Sequence, residues 1–280
     1  MIQMFTRGTH GVIPDGARCL TFPAGEQHIV PGQDPQGPLA VLVRGAGAED
    51  LVSAAMAIDA ARRTGRSTAL VLPYLPGARQ DRGLPFGAEV YARLINAVGA
   101  DRVLAADPHS PVMPSLIENL EVHPLARLVR AAMTRRVADA RTVSYVGVIA
   151  PDAGAVDRAG AVATALGLPL FRAGKRRDPA TGKLSGFTCE ALPAQGRLLV
   201  VDDICDGGGT FAGLAAVTGL GPERLDLWVT HGVFSGRAAQ LREHFGEIHT
   251  TDSHPGHANP DVAAVIHPLT PILIREALQS

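Results

Sequence analysis

RLLVVDDICDGGGTFAGL, residues 197–214, is the stretch on which the fold turns. A run of leucine and valine ends in two adjacent carboxylates, Asp202 and Asp203. A glycine-rich loop follows, and Thr210 opens an apolar helical pattern that runs to about Leu220. Continuous apolar character, without alternation, predicts a strand buried on both faces, as in a parallel sheet. In such sheets ligands settle in the loops beyond the carboxyl ends of the strands. Asp206, Gly207, Gly208, Gly209 and Thr210 can turn backbone N–H groups toward one phosphate, at the positive end of a helix dipole. The glycines let the backbone approach closely, and the two aspartates can accept from ribose hydroxyls. A plain strand-to-helix turn requires neither paired aspartates nor three successive glycines.

The same alternation extends outward in both directions. Residues 38–44, 67–73 and 101–107 read as buried strands, followed or separated by helical patterns over 49–63, 87–99 and 123–140. After the polar stretch ADARTVS, 138–144, strands are expected at 144–150, 197–203 and 224–232, with helices at 156–167, 210–220 and 235–246. The expected fold class is therefore α/β, with two similar domains at 1–142 and 143–280, each a mainly parallel sheet flanked by helices.

Composition narrows the function classes. The chain has 280 residues with a formal net charge of −1, so it lacks the bulk basic footprint of a nucleic-acid binder. No apolar run reaches the ~20 residues of a membrane span, and the first residues lack the pattern of a signal peptide. Three cysteines, Cys19, Cys189 and Cys205, fit neither a disulfide framework nor a zinc site. These features imply a cytoplasmic globular protein with no nucleic-acid or membrane partner. Among 26 basic residues only Lys175 and Lys183 are lysine, and both lie in RAGKRRDPATGKLSG. In a chain that otherwise uses arginine, a lysine there suggests a need for a compact ammonium.

Several segments resemble one family. The 197–214 loop is similar to the phosphoribosyl-pyrophosphate loop of type I phosphoribosyltransferases and of ribose-phosphate pyrophosphokinases. VLPYLPGARQDRG, 71–83, resembles the PYxxYARQDR segment found in the second of these families. FPAGE, 22–26, resembles its F-x-x-x-E element, ADPHS, 106–110, its DLHA metal segment, and IAPDAG, 149–154, its SPDAG segment. GKRR, 174–177, resembles its flexible catalytic loop, and VTHGVFSG, 229–236, its THGxFSG stretch. The resemblance runs from about Phe22 to Ser280.

The resemblance implies two phosphoribosyltransferase-type domains, the first binding ATP and the second ribose 5-phosphate. It implies that Phe22, Ala24, Glu26, Arg79, Gln80 and Asp81 hold ATP, and that Asp202, Asp203, Asp206, Gly207, Gly208, Gly209 and Thr210 hold ribose 5-phosphate. His109 and Asp152 are implied for magnesium, Lys175 and Arg177 for catalysis, and a homo-oligomer, dimer or higher, for the assembly. The implied reaction moves the diphosphoryl group of ATP to the anomeric hydroxyl of ribose 5-phosphate. Two other readings stand beside it. A type I phosphoribosyltransferase would account for the 197–214 loop but not for ARQDR or KRR. A non-catalytic paralogue would be expected to lack the lysine or the histidine. The segment after Glu26 is short where many family members carry a regulatory nucleotide-phosphate site, so that regulation is not implied here. His254 and His257, at HxxH spacing, read as a solvated loop in preference to a metal site.

Overall fold

The computed structural model describes residues 1–32, 36–45, 47–138, 144–177 and 184–279. It divides into two compact units, Met1–His123 with Pro268–Ser280, and Pro124–His267.

The first unit opens with β1 (Ile2–Gly8), β2 (Gly11–Pro14), β3 (Arg18–Thr21) and β4 (Gln27–Val30). Then come β5 (Leu39–Val43), α1 (Ala48–Arg63), β6 (Thr68–Leu72), α2 (Gly87–Ala97), β7 (Arg102–Ala106), α3 (Val112–Leu116) and β8 (Leu120–His123). The sheet order is β2-β1-β5-β6-β7-β8, and β3 pairs with β4 in a separate ribbon. The pairs from β5 to β8 are parallel, while β1 is antiparallel to both its neighbours. LAVLV and TALVL are buried along their whole length, which is why neither shows a period of two. Leu51, Ala54, Ile58 and Ala61 form the buried stripe of α1, at spacings of three and four. Glu49 and Asp50 sit in the first turn of this helix and Arg62 and Arg63 in its last, matching the dipole. Ile58 is wholly buried between α1 and the sheet, and its truncation to alanine would cost about 2–5 kcal/mol.

The second unit holds α4 (Leu125–Ala138), β9 (Tyr145–Ala150), α5 (Val156–Leu166), β10 (Leu170–Arg177), β11 (Leu184–Cys189) and β12 (Arg197–Cys205). It continues with α6 (Gly209–Thr218), β13 (Leu225–Gly232), β14 (Ile248–Thr251) and β15 (Val265–His267). The order β11-β10-β9-β12-β13-β14-β15 is parallel throughout except for β11, which pairs antiparallel with β10. The chain then returns to the first unit with α7 (Thr270–Ala277), which packs on β5, β6 and β7.

Both sheets are mainly parallel and flanked by helices, as expected. The units divide at 123/124 and 267/268, whereas composition placed the line at 142/143. Packing sets the difference: α4 lies against α5, and α7 against the first sheet. The helix expected over 235–246 is a six-residue 3-10 segment, Ala238–Glu243. Ser235 is tied to Asp206, and the N–H groups of Ala238, Gln240 and His244 each donate three residues back, to Ser235, Arg237 and Leu241, which winds the segment as a 3-10 helix.

Candidate functional site

In the second unit β12 is flanked by β9 and β13, so its carboxyl end lies at the middle of the sheet. The chain leaves that end through Asp206 and Gly207, and Gly208 takes φ 81°, which favours glycine, before α6 begins. A Cβ added at Gly208 would meet the Leu241 side chain at 3.1 Å, whereas one at Gly207 would meet nothing within 4 Å. Gly208 is thus required by the turn itself. Gly207 leaves open space at the amino-terminal end of a ten-residue helix, the setting in which backbone N–H groups bind anions. Asp206 accepts from the Ser235 hydroxyl, and the Ser235 N–H donates to the Asp206 carbonyl at 3.1 Å. Val233, Phe234 and Ser235, which follow β13, therefore clamp the loop from one side.

Asp202 and Asp203 lie behind the loop with almost no exposure. Arg158 Nη1 donates to both, at 3.0 Å to Asp202 Oδ1 and 2.6 Å to Asp203 Oδ1. Burial, together with the neighbouring Asp203, pushes the Asp202 carboxyl well above the usual carboxylate range, and Arg158 offsets part of this. A carboxyl so perturbed at a strand end suits a role toward a polar ligand better than a role in stability. Beside the pair, Lys175 Nζ lies 2.6 Å from Asp152 Oδ2 and donates to Thr210 Oγ1 at 2.7 Å. Asp152 Oδ1 caps the 3-10 turn Ala153–Ala155 by accepting from the N–H groups of Gly154 and Ala155. Cys205 is buried, which pushes its thiol up to about 12 and makes it inert.

The fold therefore gathers Asp152, Lys175, Asp202, Asp203 and Thr210 at the carboxyl ends of β9, β10 and β12, beside the glycine loop. Lys175 stands in a strand with its side chain 15% exposed, not on a solvated loop. Arg177 ends β10, and its side chain lies outside the described residues, as does Lys183. Sequence reasoning missed Arg158 and Ser235. The available signal for Arg158 was its place as the one basic residue of the helix that follows PDAG.

In the first unit the β3–β4 turn carries Phe22, Ala24 and Glu26, all exposed. The Phe22 N–H donates to the Glu26 carbonyl at 2.8 Å, and Gly25 turns at φ 97°. The Phe22 ring is 47% exposed and stacks on His28 at 5.3 Å, so it is not a core residue. Arg79 and Gln80 are exposed on the segment after β6. The Gln80 side chain covers Gly87 so closely that a Cβ there would meet its Oε1 at 1.8 Å. Asp81 is brought to the segment after β7. Burial raises its carboxyl, but hydrogen bonds from Ser110 and Arg82, with the charges of Arg82 and His109, hold it below the usual range. Two residues before His109, Asp107 is buried at φ 39°, an uncommon conformation outside glycine. His254, beyond β14, accepts from the Gly256 N–H at 3.1 Å and is half-buried, so the HxxH pair closes its own turn.

A family model described as "Phosphoribosyl transferase domain" matches residues 117–249. The ribose-phosphate pyrophosphokinase of Hyphomonas neptunium is 31% identical over 239 residues, which is 80% of this chain and 74% of that protein. The chain belongs to the ribose-phosphate pyrophosphokinase family. The family enzyme of Bradyrhizobium diazoefficiens is 35% identical over 199 residues. The chain spans about six tenths of the length of that and several other curated relatives it matches. The phosphoribosylpyrophosphate synthetase structure from Mycobacterium smegmatis shares the fold, with a TM-score of 0.78 at 23% identity over 95% of this chain and 90% of that one.

Proposed function

We propose that the chain is a ribose-phosphate diphosphokinase. It transfers the diphosphoryl group of ATP to the anomeric hydroxyl of ribose 5-phosphate, giving phosphoribosyl pyrophosphate and AMP. The observation that carries this reading is the gathering of Asp152, Lys175, Asp202, Asp203 and Thr210 beside an open glycine loop, in a member of this family.

Each part has a task that its chemistry suits. The 206–210 loop takes the 5-phosphate on backbone N–H groups at the start of α6. Asp202 and Asp203 accept from the ribose hydroxyls, and Arg158 fixes their orientation. Arg79 and Gln80 meet ATP from the exposed face of the first unit, and Phe22 offers an exposed ring for stacking, with Glu26 four residues on at the other side of the same turn. The anomeric oxygen bonds to the β-phosphorus while the α–β bridge breaks and AMP departs. Charge spreads over phosphoryl oxygens, so positioning and electrostatic stabilisation dominate. Lys175, already beside Thr210 at the start of α6, supplies a point charge to those oxygens. Arg177, at the end of the same strand, assists.

Magnesium, when bound, neutralises phosphoryl oxygens and assists their approach. His109 in the first unit and Asp152 in the second are the residues assigned to magnesium ions, each within its own unit. The oxygens of Asp152 already serve Lys175 and the 154–155 backbone, which suits a hard cation held through its own water. A cytoplasmic place and a homo-oligomeric assembly belong to the same reading. No helix among the described residues is long and apolar enough to cross a membrane. The test is AMP release from ATP and magnesium by the purified chain: release must depend on ribose 5-phosphate. A phosphoribosyltransferase would release none, and would instead consume phosphoribosyl pyrophosphate when given a base.

A further inference from the structure

The segment that grips the start of the glycine loop is itself held in an uncommon shape. The N–H groups of Val233 and Phe234 donate to the Cys205 carbonyl at 2.9 and 3.0 Å, and Ser235 reaches Asp206 with both its N–H and its hydroxyl. Phe234 stands at φ 47° with its ring buried, a conformation that bulky residues rarely adopt, so its surroundings must hold it there. Asn259 supplies part of that hold: its Nδ2 donates to the Phe234 carbonyl at 2.9 Å. This carbonyl and the Ser235 N–H belong to one planar peptide unit. Asn259 therefore fixes from one side the plane whose N–H grips Asp206 from the other. Its Oδ1 accepts from the Asp261 N–H at 3.0 Å, so both ends of the amide are committed and its orientation is set. Pro260 keeps the Asn259 backbone extended, at φ −62° and ψ 111°. The 3-10 turn Pro255–Ala258 that leads into Asn259 lies against the same segment: a Cβ on Gly256 would meet the Val233 carbonyl at 2.0 Å.

We propose that Asn259 is a positioning residue for the phosphate taken by the 206–210 loop. It acts through the Phe234–Ser235 peptide, which it keeps in the orientation that ties down Asp206. The path of the chain into Gly207 and α6 is thereby preset, and its N–H groups converge on the anion without reorganisation when it arrives. Without the amide donor, Phe234 relaxes toward negative φ, the peptide turns, and the Ser235 N–H leaves the Asp206 carbonyl. The inference rests on the diphosphokinase reading for the identity of the ligand, ribose 5-phosphate; the state of the peptide in the free chain does not depend on that reading.

Two substitutions separate this role from that of a simple turn residue. Asn259→Asp retains an acceptor for the Asp261 N–H but sets a carboxylate against the Phe234 carbonyl, whereas Asn259→Ala removes both contacts. A residue needed only for the turn would be replaced well by aspartate, which makes the same local bonds. The full chain is titrated calorimetrically with ribose 5-phosphate, with inorganic phosphate and with ATP, and exchange of the Ser235 amide is followed by NMR in the ligand-free chain. Asn259→Asp should weaken ribose 5-phosphate and phosphate about tenfold, speed Ser235 exchange at least about tenfold, and leave ATP affinity within about twofold. Asn259→Ala should do the same; if it fails to fold, Asn259→Asp carries the result. A parent chain that binds phosphate but not ribose 5-phosphate would overturn the diphosphokinase reading alone, and the phosphate arm then decides for Asn259. A parent that binds neither overturns both. The proposal is also overturned if Asn259→Asp binds phosphate like the parent, if Ser235 exchange is unchanged, or if ATP affinity falls as far as that for ribose 5-phosphate, which would mark a general loosening.

Discussion

Replacing Lys175 with methionine removes one charge and keeps most of the side chain's length. Two contacts go with it, the ion pair to Asp152 at 2.6 Å and the hydrogen bond to Thr210 at 2.7 Å. The pair is neither open nor sealed, with side-chain exposures of 15% and 22%. Exposed pairs contribute about 0–1 kcal/mol, and breaking a fully buried pair costs about 3–5 kcal/mol. A loss of about 2 kcal/mol lies between these limits. At about 2–4 °C per kcal/mol for a body of this size, the melting temperature should fall by about 4–8 °C. Scanning calorimetry at neutral pH reads that shift directly. Kinetics measured well below the melt should show kcat reduced by about 10²–10³-fold with substrate KM values little changed, as expected for a charge used mainly in the transition state. Lys175→Arg keeps a cation near Asp152 and should recover part of the stability. Its activity should remain low, because a planar fork does not replace a point charge. A melting temperature within about 1 °C of the parent in Lys175→Met would refute the reasoning, since Lys175 would then make no effective contact with Asp152 or Thr210.

Two neighbouring glycines should respond in opposite ways. Gly207→Ala places its Cβ in open space, so it should melt like the parent while losing affinity for ribose 5-phosphate in calorimetric titration; Gly208→Ala, at φ 81° and 3.1 Å from Leu241, should lose stability by about 1–2 kcal/mol. The Asp81 carboxyl is held below its unfolded value, so its contribution to stability is present in full above about pH 4 and disappears as pH falls through the lowered folded value. Ser110→Ala removes one of the bonds that lower it, so carbon-detected NMR titration should show the Asp81 midpoint moving up toward the unfolded value. Arg79→Ala should raise the KM for ATP far more than that for ribose 5-phosphate; equal effects on both would remove Arg79 from the nucleotide site.

The parallel strands were legible because each is a short, continuous run of Val, Leu and Ala whose burial on both faces leaves no other arrangement for it. LAVLV, TALVL and LLVV all behave this way. The edges were less so. GVIP in β2 is exposed at all four positions and RCLT in β3 at most of them, so neither carries a burial pattern to read. They are strands because of their pairing partners, which lie in β1 and β4. Lys175 was noticed from composition but expected on a loop. Pairing of β10 with β11 places it in a strand, and no local propensity announces that pairing. Arg158 could be seen only as the one basic residue of α5, next to Asp157. That it bridges Asp202 and Asp203, forty-four and forty-five residues further along, depends on two parallel strands lying side by side.

Phosphorus NMR of the purified chain with ATP, magnesium and ribose 5-phosphate tests the central claim most directly. The account predicts that the β- and γ-phosphorus signals of ATP give way together to the two signals of a diphosphate bonded to the anomeric oxygen, with an equal rise in AMP. Formation of ADP with a single phosphate transferred, or no change in the ATP signals on adding ribose 5-phosphate, would contradict it.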